Sequence, residues 1–377
     1  MKLKKVTDFL KKNIMLEVSV AAAVISLFIT PPSKALVSSI DWNTLATLFM
    51  LLSVLDGFKH ENLFQPLIKL AGKIKSQAGL TFFLVFSVFF SSMFVTNDVS
   101  LIIFVPLTII LFRAGEKEHY IIPVLVLENI AAVRGSLLTP FGSPQNLFLY
   151  SKSGLSAAKF VFMMLPLWVG SAVLISLFIV FIYRKNVKEN IEVSSYSSAD
   201  RTKNGRKKRV IYFSLFAVII ATIVTRTPYT AYVTAFVTVV LLIFDRKVFR
   251  RVDYALLITF FCFFVFSSSL SQNPAIASFL QKSVDGREYL WSILLSQVIS
   301  NVPASIVLWP FTTNLKALIY GLDSAGLVTV IGSLASVINL RIYTREYPGN
   351  GMKFMACFEK ICLAFFAIIV IPQMLIC

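Results

Sequence analysis

Val95-Thr96-Asn97-Asp98-Val99-Ser100 sets an amide, a carboxylate and two hydroxyls between two apolar runs, 79–94 and 101–113. At 1.5 Å per residue each run makes a helix of roughly 20–24 Å, short of the ~30 Å hydrocarbon layer. Two half-length helices around a polar kink predict a hairpin that enters the membrane and returns. Irregular backbone at that depth survives only when buried in protein or facing a wet cavity. The plain alternative is a loop between two short spanning helices.

The whole chain fits such a setting. Hydrophobic residues make up 57% of it and the mean hydropathy is +0.78, so it reads as a polytopic membrane protein, not a soluble domain. The net charge of +17 comes from loops and is not a nucleic-acid footprint. With a cytoplasmic N-terminus, most of the 36 Lys and Arg fall in cytoplasmic segments. The outer segments hold only Lys34, Lys152, Lys159, Arg226, Lys282, Arg287 and Lys316. Cys262, Cys357, Cys362 and Cys377 show no metal or disulfide spacing, and only His60 and His119 are present. The basic start, 1–12, is expected to precede a first span, not a cleaved signal.

An order of elements repeats along the chain. Spans at 14–30 and 42–58 precede an amphipathic basic stretch, 62–76, expected on the cytoplasmic surface. The hairpin 79–113 is next, then a span over 120–150 broken at 139–146, then a span at 160–183. A basic linker, 184–209, joins the halves, and an extra span at 210–226 inverts the second half. That half, 229–377, has spans at 229–244 and 254–270 and a polar connector at 271–286. A hairpin at 288–318 has its tip at 300–305. A broken span at 321–340 and a last span at 354–376 complete it. Asp41-Trp42 and Asp253-Tyr254 open matching elements, and Asn97 matches Asn301. The expected fold is all-α: an inverted repeat with two re-entrant helical hairpins, two discontinuous spans and about nine full spans. The C-terminus is expected outside.

Inverted repeats with broken helices put a solute site at their interface. Half-helix N-termini attract anions, and freed carbonyls and side-chain oxygens hold cations. The candidate solute residues are Asn97, Asp98, Arg134, Thr139, Ser143, Asn146, Ser300, Asn301, Ser305 and Ser333. Thr96, Asn97 and Gly142 are candidates for one Na⁺ site; Asn301, Gly332 and Ser336 are candidates for another. The alternative is that these groups only cap half-helices. Asp98 binds a cation or carries a proton, or else caps a helix or pairs with Arg134. Arg134 holds an anion, or else neutralises Asp98 or Glu128.

Four segments, FVTNDVSLIIFVPLT (94–108), GSLLTPFGSPQNLFLYS (135–151), LSQVISNVPASIVL (295–308) and GSLASVINLRI (332–342), resemble motifs of the ion transporter superfamily. That superfamily includes arsenite permeases, NhaD-type antiporters and citrate and dicarboxylate symporters. The likeness extends over nearly the whole chain and is greatest to compact YbiR-like members. It implies elevator-like movement, commonly of a dimer. Ser300-Asn301 resembles the Ser-Asn-Thr tip of the dicarboxylate symporters, with Val302 in place of the Thr. The Asn97-Asp98 pair looks more like the arsenite permease branch.

The expected function is secondary active transport of a small anion, an inorganic oxyanion or a carboxylate, coupled to Na⁺ or H⁺ in the cell membrane. The alternative is a cation/proton antiporter centred on Asp98. No P-loop or catalytic motif is present, so neither ATP-driven transport nor an enzyme is expected. No cofactor beyond a coupling ion is expected. The expected partners are the solute, the bilayer and a second copy of the chain.

Overall fold

The structure is a computed structural model that describes residues 14–61, 70–184, 190–191 and 204–376. The N-terminal basic segment, most of the amphipathic stretch, most of the linker and Cys377 lie outside these residues. Among the described residues every regular element is helical, apart from one isolated bridge between Ser76 and Asn190.

Helix α1 is Ile14–Ile29, α2 Lys34–Ser39 and α3 Trp42–His60. Then come α4 Gln77–Val95, α5 Asn97–Ala114, α6 Ile121–Gly135, α7 Pro144–Ser153 and α8 Ala157–Tyr183. After the linker are α9 Asn204–Thr225, α10 Thr230–Asp245, α11 Tyr254–Gln272 and α12 Pro274–Val284. The chain finishes with α13 Glu288–Ile299, α14 Asn301–Leu308, α15 Leu315–Ala325, α16 Leu334–Glu346 and α17 Gly351–Ile376. Seven helical stretches among the described residues are long and apolar enough to cross a membrane.

Local chemistry sets the starts. Asp41 accepts the Thr44 amide at 3.0 Å and opens α3; Asp253 accepts the Leu256 amide at 3.0 Å and opens α11. Asn314 caps α15 by accepting the Ala317 amide at 3.0 Å. That cap corrects two expected boundaries. The return arm after Ser300 ends with the turn Trp309–Phe311 rather than at 318, and the next helix begins at Leu315 rather than at 321. The arms around Thr96 also differ from expectation. Helices α4 and α5 have 19 and 18 residues, so each is about 27–28 Å long and both are among the span-length helices. In α5 the added length comes from the polar residues themselves: Asn97 and Asp98 are its first turn, not a kink.

Each of these two helix pairs turns on a single residue. Thr96 has φ 69° and ψ 157°, and Ser300 has φ 68° and ψ 158°. This region is nearly exclusive to glycine and costs about 1–3 kcal/mol for other residues. Neither side chain caps the next helix. Thr96→Gly and Ser300→Gly are therefore expected to raise the unfolding temperature of the purified protein, because strain relief of about 1–3 kcal/mol exceeds the roughly 0.5–1 kcal/mol glycine penalty. A fall in unfolding temperature would refute the strain.

Packing repeats in reciprocal pairs. Helix α4 lies against α6, as α13 lies against α15. Helix α5 packs on α16, and α14 packs on α7. Helix α1 packs on α11 and α10 packs on α3, with α9 added against α3 and α10. The α3–α9 contact is close: a Cβ on Gly57 would lie 2.0 Å from the Tyr212 ring. At the base of α4 and α5, the linker residue Ile191 donates its amide to the Lys75 carbonyl at 2.8 Å and buries its side chain against Gly115.

Candidate functional site

Two interruptions share one local plan. Thr139 and Gly142 close a turn through a 3.3 Å amide bond, and Thr329 and Gly332 close another at 3.1 Å. Both glycines are required by close approach. A Cβ on Gly142 would lie 2.1 Å from the Ser136 carbonyl oxygen, and one on Gly332 would lie 2.2 Å from that of Ala325. The preceding threonines tie each turn to a neighbouring arm. The Thr139 hydroxyl donates to the Met93 carbonyl at 2.5 Å, and that of Thr329 to Gln297 Oε1 at 2.7 Å. Ser143 and Ser333 then start α7 and α16. Ser143 accepts the Asn146 amide at 3.4 Å, while Ser333 makes no such cap bond.

A cavity of about 170 Å³ lies where these elements meet α3 and α11. Its polar wall is Thr96, Asp98 and Ser143; its apolar wall includes Leu48, Leu51, Phe141, Leu147, Leu334 and Ile338. Four helix N-termini, those of α5, α7, α11 and α16, contribute residues to it. Each presents the positive end of a helix dipole. Asp98 is half-buried and its Oδ1 has no hydrogen-bond partner. Asp56, Lys59, Arg251 and Asp253 also line the cavity. Arg251 is already engaged, donating to Asp56 at 2.6 Å and to Asp245 at 3.5 Å.

A second cavity, about 180 Å³, meets α7 at its other end, around Tyr150 and Ser151. Leu147 borders both cavities. Here α7 is fastened to its surroundings. Lys152 pairs with Asp41 at 3.1 Å, and the Arg226 guanidinium covers the Tyr150 ring and donates to the Tyr150 carbonyl.

The remaining candidates are not gathered at the first cavity. Asn97 is buried and spends its Oδ1 on the Asp98 amide, at 2.9 Å. Asn301 donates to the Leu322 carbonyl at 3.4 Å. Ser305 bonds locally to Val302, and the buried Ser300 hydroxyl has no partner. Ser336 accepts from Asn129 at 3.0 Å. Asn146 faces away from the cavity, donating to Asp323 Oδ2 at 3.2 Å, beside Gln145, which donates to Oδ1 at 3.1 Å.

Arg134 departs most from expectation. It is fully buried, is not on the cavity wall, and donates to Ser324 Oγ at 3.2 Å. Neither Asp98 nor Glu128 pairs with it; Glu128 instead accepts from Thr108 at 2.5 Å. The carboxylate that faces the Arg134 charge is Asp323. Asp323 and its partner Gln145 are not among the candidates read from the sequence, although a carboxylate in an apolar run is itself a signal.

Known proteins with similar sequences define the class. The chain is 32% identical over 325 residues to "Inner membrane protein YbiR" of Escherichia coli, covering 84% of each chain. It is 30% identical over 304 residues to "Uncharacterized transporter MJ0456" of Methanocaldococcus jannaschii, covering 80% of this chain and 81% of that protein. The YdaH transporter of Alcanivorax borkumensis shares the fold, with a TM-score of 0.54 at 14% identity over 90% of this chain and 86% of that one. The chain is a multi-pass membrane transporter. The citrate transporter family model matches residues 11–332, and the chain belongs to that family.

Proposed function

We propose that the chain is a secondary active transporter of a small anion, a carboxylate or an inorganic oxyanion, driven by Na⁺ or H⁺ bound at Asp98. The observation that carries this reading is a carboxylate with an unpartnered, buried Oδ1 set in a cavity lined by four helix N-termini. The carboxylate suits a cation, and the dipole ends suit an anion. Bound together, the two ions would neutralise each other inside the protein, which lowers the cost of carrying either across lipid. The family's description as citrate transporters favours a carboxylate.

The matched strained turns at Thr96 and Ser300, the matched Gly142 and Gly332 breaks and the reciprocal packing support an inverted repeat. In that reading the α4–α5 and α13–α14 pairs are the two re-entrant hairpins, and the chain works as a homodimer with a cytoplasmic N-terminus. Helices α1, α3, α9, α10 and α11 form the fixed part. Alternating access then moves α7 and its neighbours against that part, and Leu147, between the two cavities, is the seal. Na⁺ ligands would come from Thr96, Asn97, Gly142 and the Asp98 carboxylate in one half. In the other they would come from Asn301, Gly332 and Ser336.

A second reading, cation/proton antiport centred on Asp98, is favoured by the seclusion of Arg134. With Arg134 off the cavity and Arg251 engaged, the deep charged group is acidic. Uptake into proteoliposomes decides between them, using a panel of carboxylates and oxyanions under imposed Na⁺ or pH gradients. Symport predicts gradient-driven anion accumulation. Antiport predicts Na⁺ flux against a pH gradient with no anion required. Flux of no solute under any gradient would refute both.

A further inference from the structure

Three consecutive residues of α15 reach three separate parts of the transport machinery. The Leu322 carbonyl accepts from Asn301, at the turn between α13 and α14. Asp323 accepts from Gln145 and Asn146, in the first turn of α7. Ser324 accepts from Arg134, in the last turn of α6. Helix α15 thus spans the break between α6 and α7 and is joined on both sides of it. The Asp323 carboxylate is 1% exposed, and both oxygens are occupied by amide donors that have no other acceptor.

We infer that Asp323 is a positioning residue, whose clamp on Gln145 and Asn146 sets the first turn of α7 and so the place of Ser143 on the cavity wall that also carries Asp98. The inference rests on the proposed reading of the first cavity as the transport site. Its physical basis is the cost of breaking the clamp. Buried hydrogen bonds to a carboxylate are stronger than neutral ones, and removing the acceptor strands two amide donors. Proline at 144 fixes its own φ but has no amide hydrogen to bond the turn to its surroundings. Position 143 lies two residues from the clamp, within the same turn, so movement of one carries the other.

The test does not depend on transport. A cysteine at position 143 is labelled with a small maleimide in purified protein, and labelling is read by mass on the peptide that contains it. Asp323→Ala should speed labelling about tenfold, as the first turn of α7 opens locally. Asp323→Asn should stay within about threefold of the parent, because rotating the Asn146 amide lets its Oδ1 accept from the new side chain. Gln145→Met, which removes one arm of the clamp, should give a smaller change in the same direction and serves if the alanine variant does not fold. Unchanged labelling in both Asp323→Ala and Gln145→Met overturns the inference. So does an asparagine variant as perturbed as the alanine variant, which would put the effect in the charge facing Arg134 and not in the clamp. In proteoliposomes, Asp323→Ala should raise the half-saturating coupling-ion concentration more than it lowers the maximal rate. Normal half-saturation with altered labelling would overturn the link to Asp98. Absence of wild-type flux, by contrast, bears on the proposed function and leaves the labelling result standing.

Discussion

Replacing Asp98 by asparagine is expected to abolish ion-driven uptake while leaving the protein folded. The carboxylate lines the cavity, and its Oδ1 is buried without a partner. Removing one charge from a cation contact worth about 3 kcal/mol lowers occupancy about 100-fold. Stability should move the other way. The N-terminus of α5 favours a negative charge by only about 0.3–1 kcal/mol, whereas an unpaired buried charge costs more. The unfolding temperature of Asp98→Asn is therefore expected to match or exceed the parent's. A clear fall, with flux retained, would return Asp98 to the role of a helix cap.

Gly142→Ala and Gly332→Ala are expected to be the most damaging single substitutions at the two breaks. In each, the added Cβ meets a backbone carbonyl oxygen, at 2.1 and 2.2 Å. A carbonyl held in a turn cannot rotate aside as a flexible side chain does. Overpacking of this kind costs roughly 3 kcal/mol or more. Both variants should show a large drop in unfolding temperature and in yield of monodisperse protein. Gly170→Ala is the control, since nothing lies within 4 Å of its added Cβ. Equal behaviour of all three would show that the breaks tolerate a side chain.

The sequence was informative where the signal is local. An amide and a carboxylate in an apolar run mark a turn because water-seeking groups at depth are costly. Asp41 and Asp253 announce helix starts through their own capping chemistry. Clusters such as Thr139 to Asn146 announce breaks through glycine and proline. The missed features are non-local. Asp323 reaches Gln145 across 178 positions, and Arg134 reaches Ser324 across 190, so nothing near either residue reveals its partner. For the same reason the contact of one Arg134 nitrogen with Ser324 is not legible locally, while its Nε and Nη1 have no partner. The start of α15 was obscured because the apolar composition on both sides of Asn314 is alike. The arm after Thr96 is longer than its apolar run because Asn97 and Asp98 join the helix instead of forming the kink. A single residue in an unusual backbone conformation makes the turn, and composition carries no sign of it.

The docking of Ile191 has a mechanical consequence. It ties one point of the linker to the base of α4 and α5, so α9 is leashed to that base and not to the end of α8. Helix α9 is thus joined to the base of α4 and α5 by a shorter stretch of chain than to the end of α8.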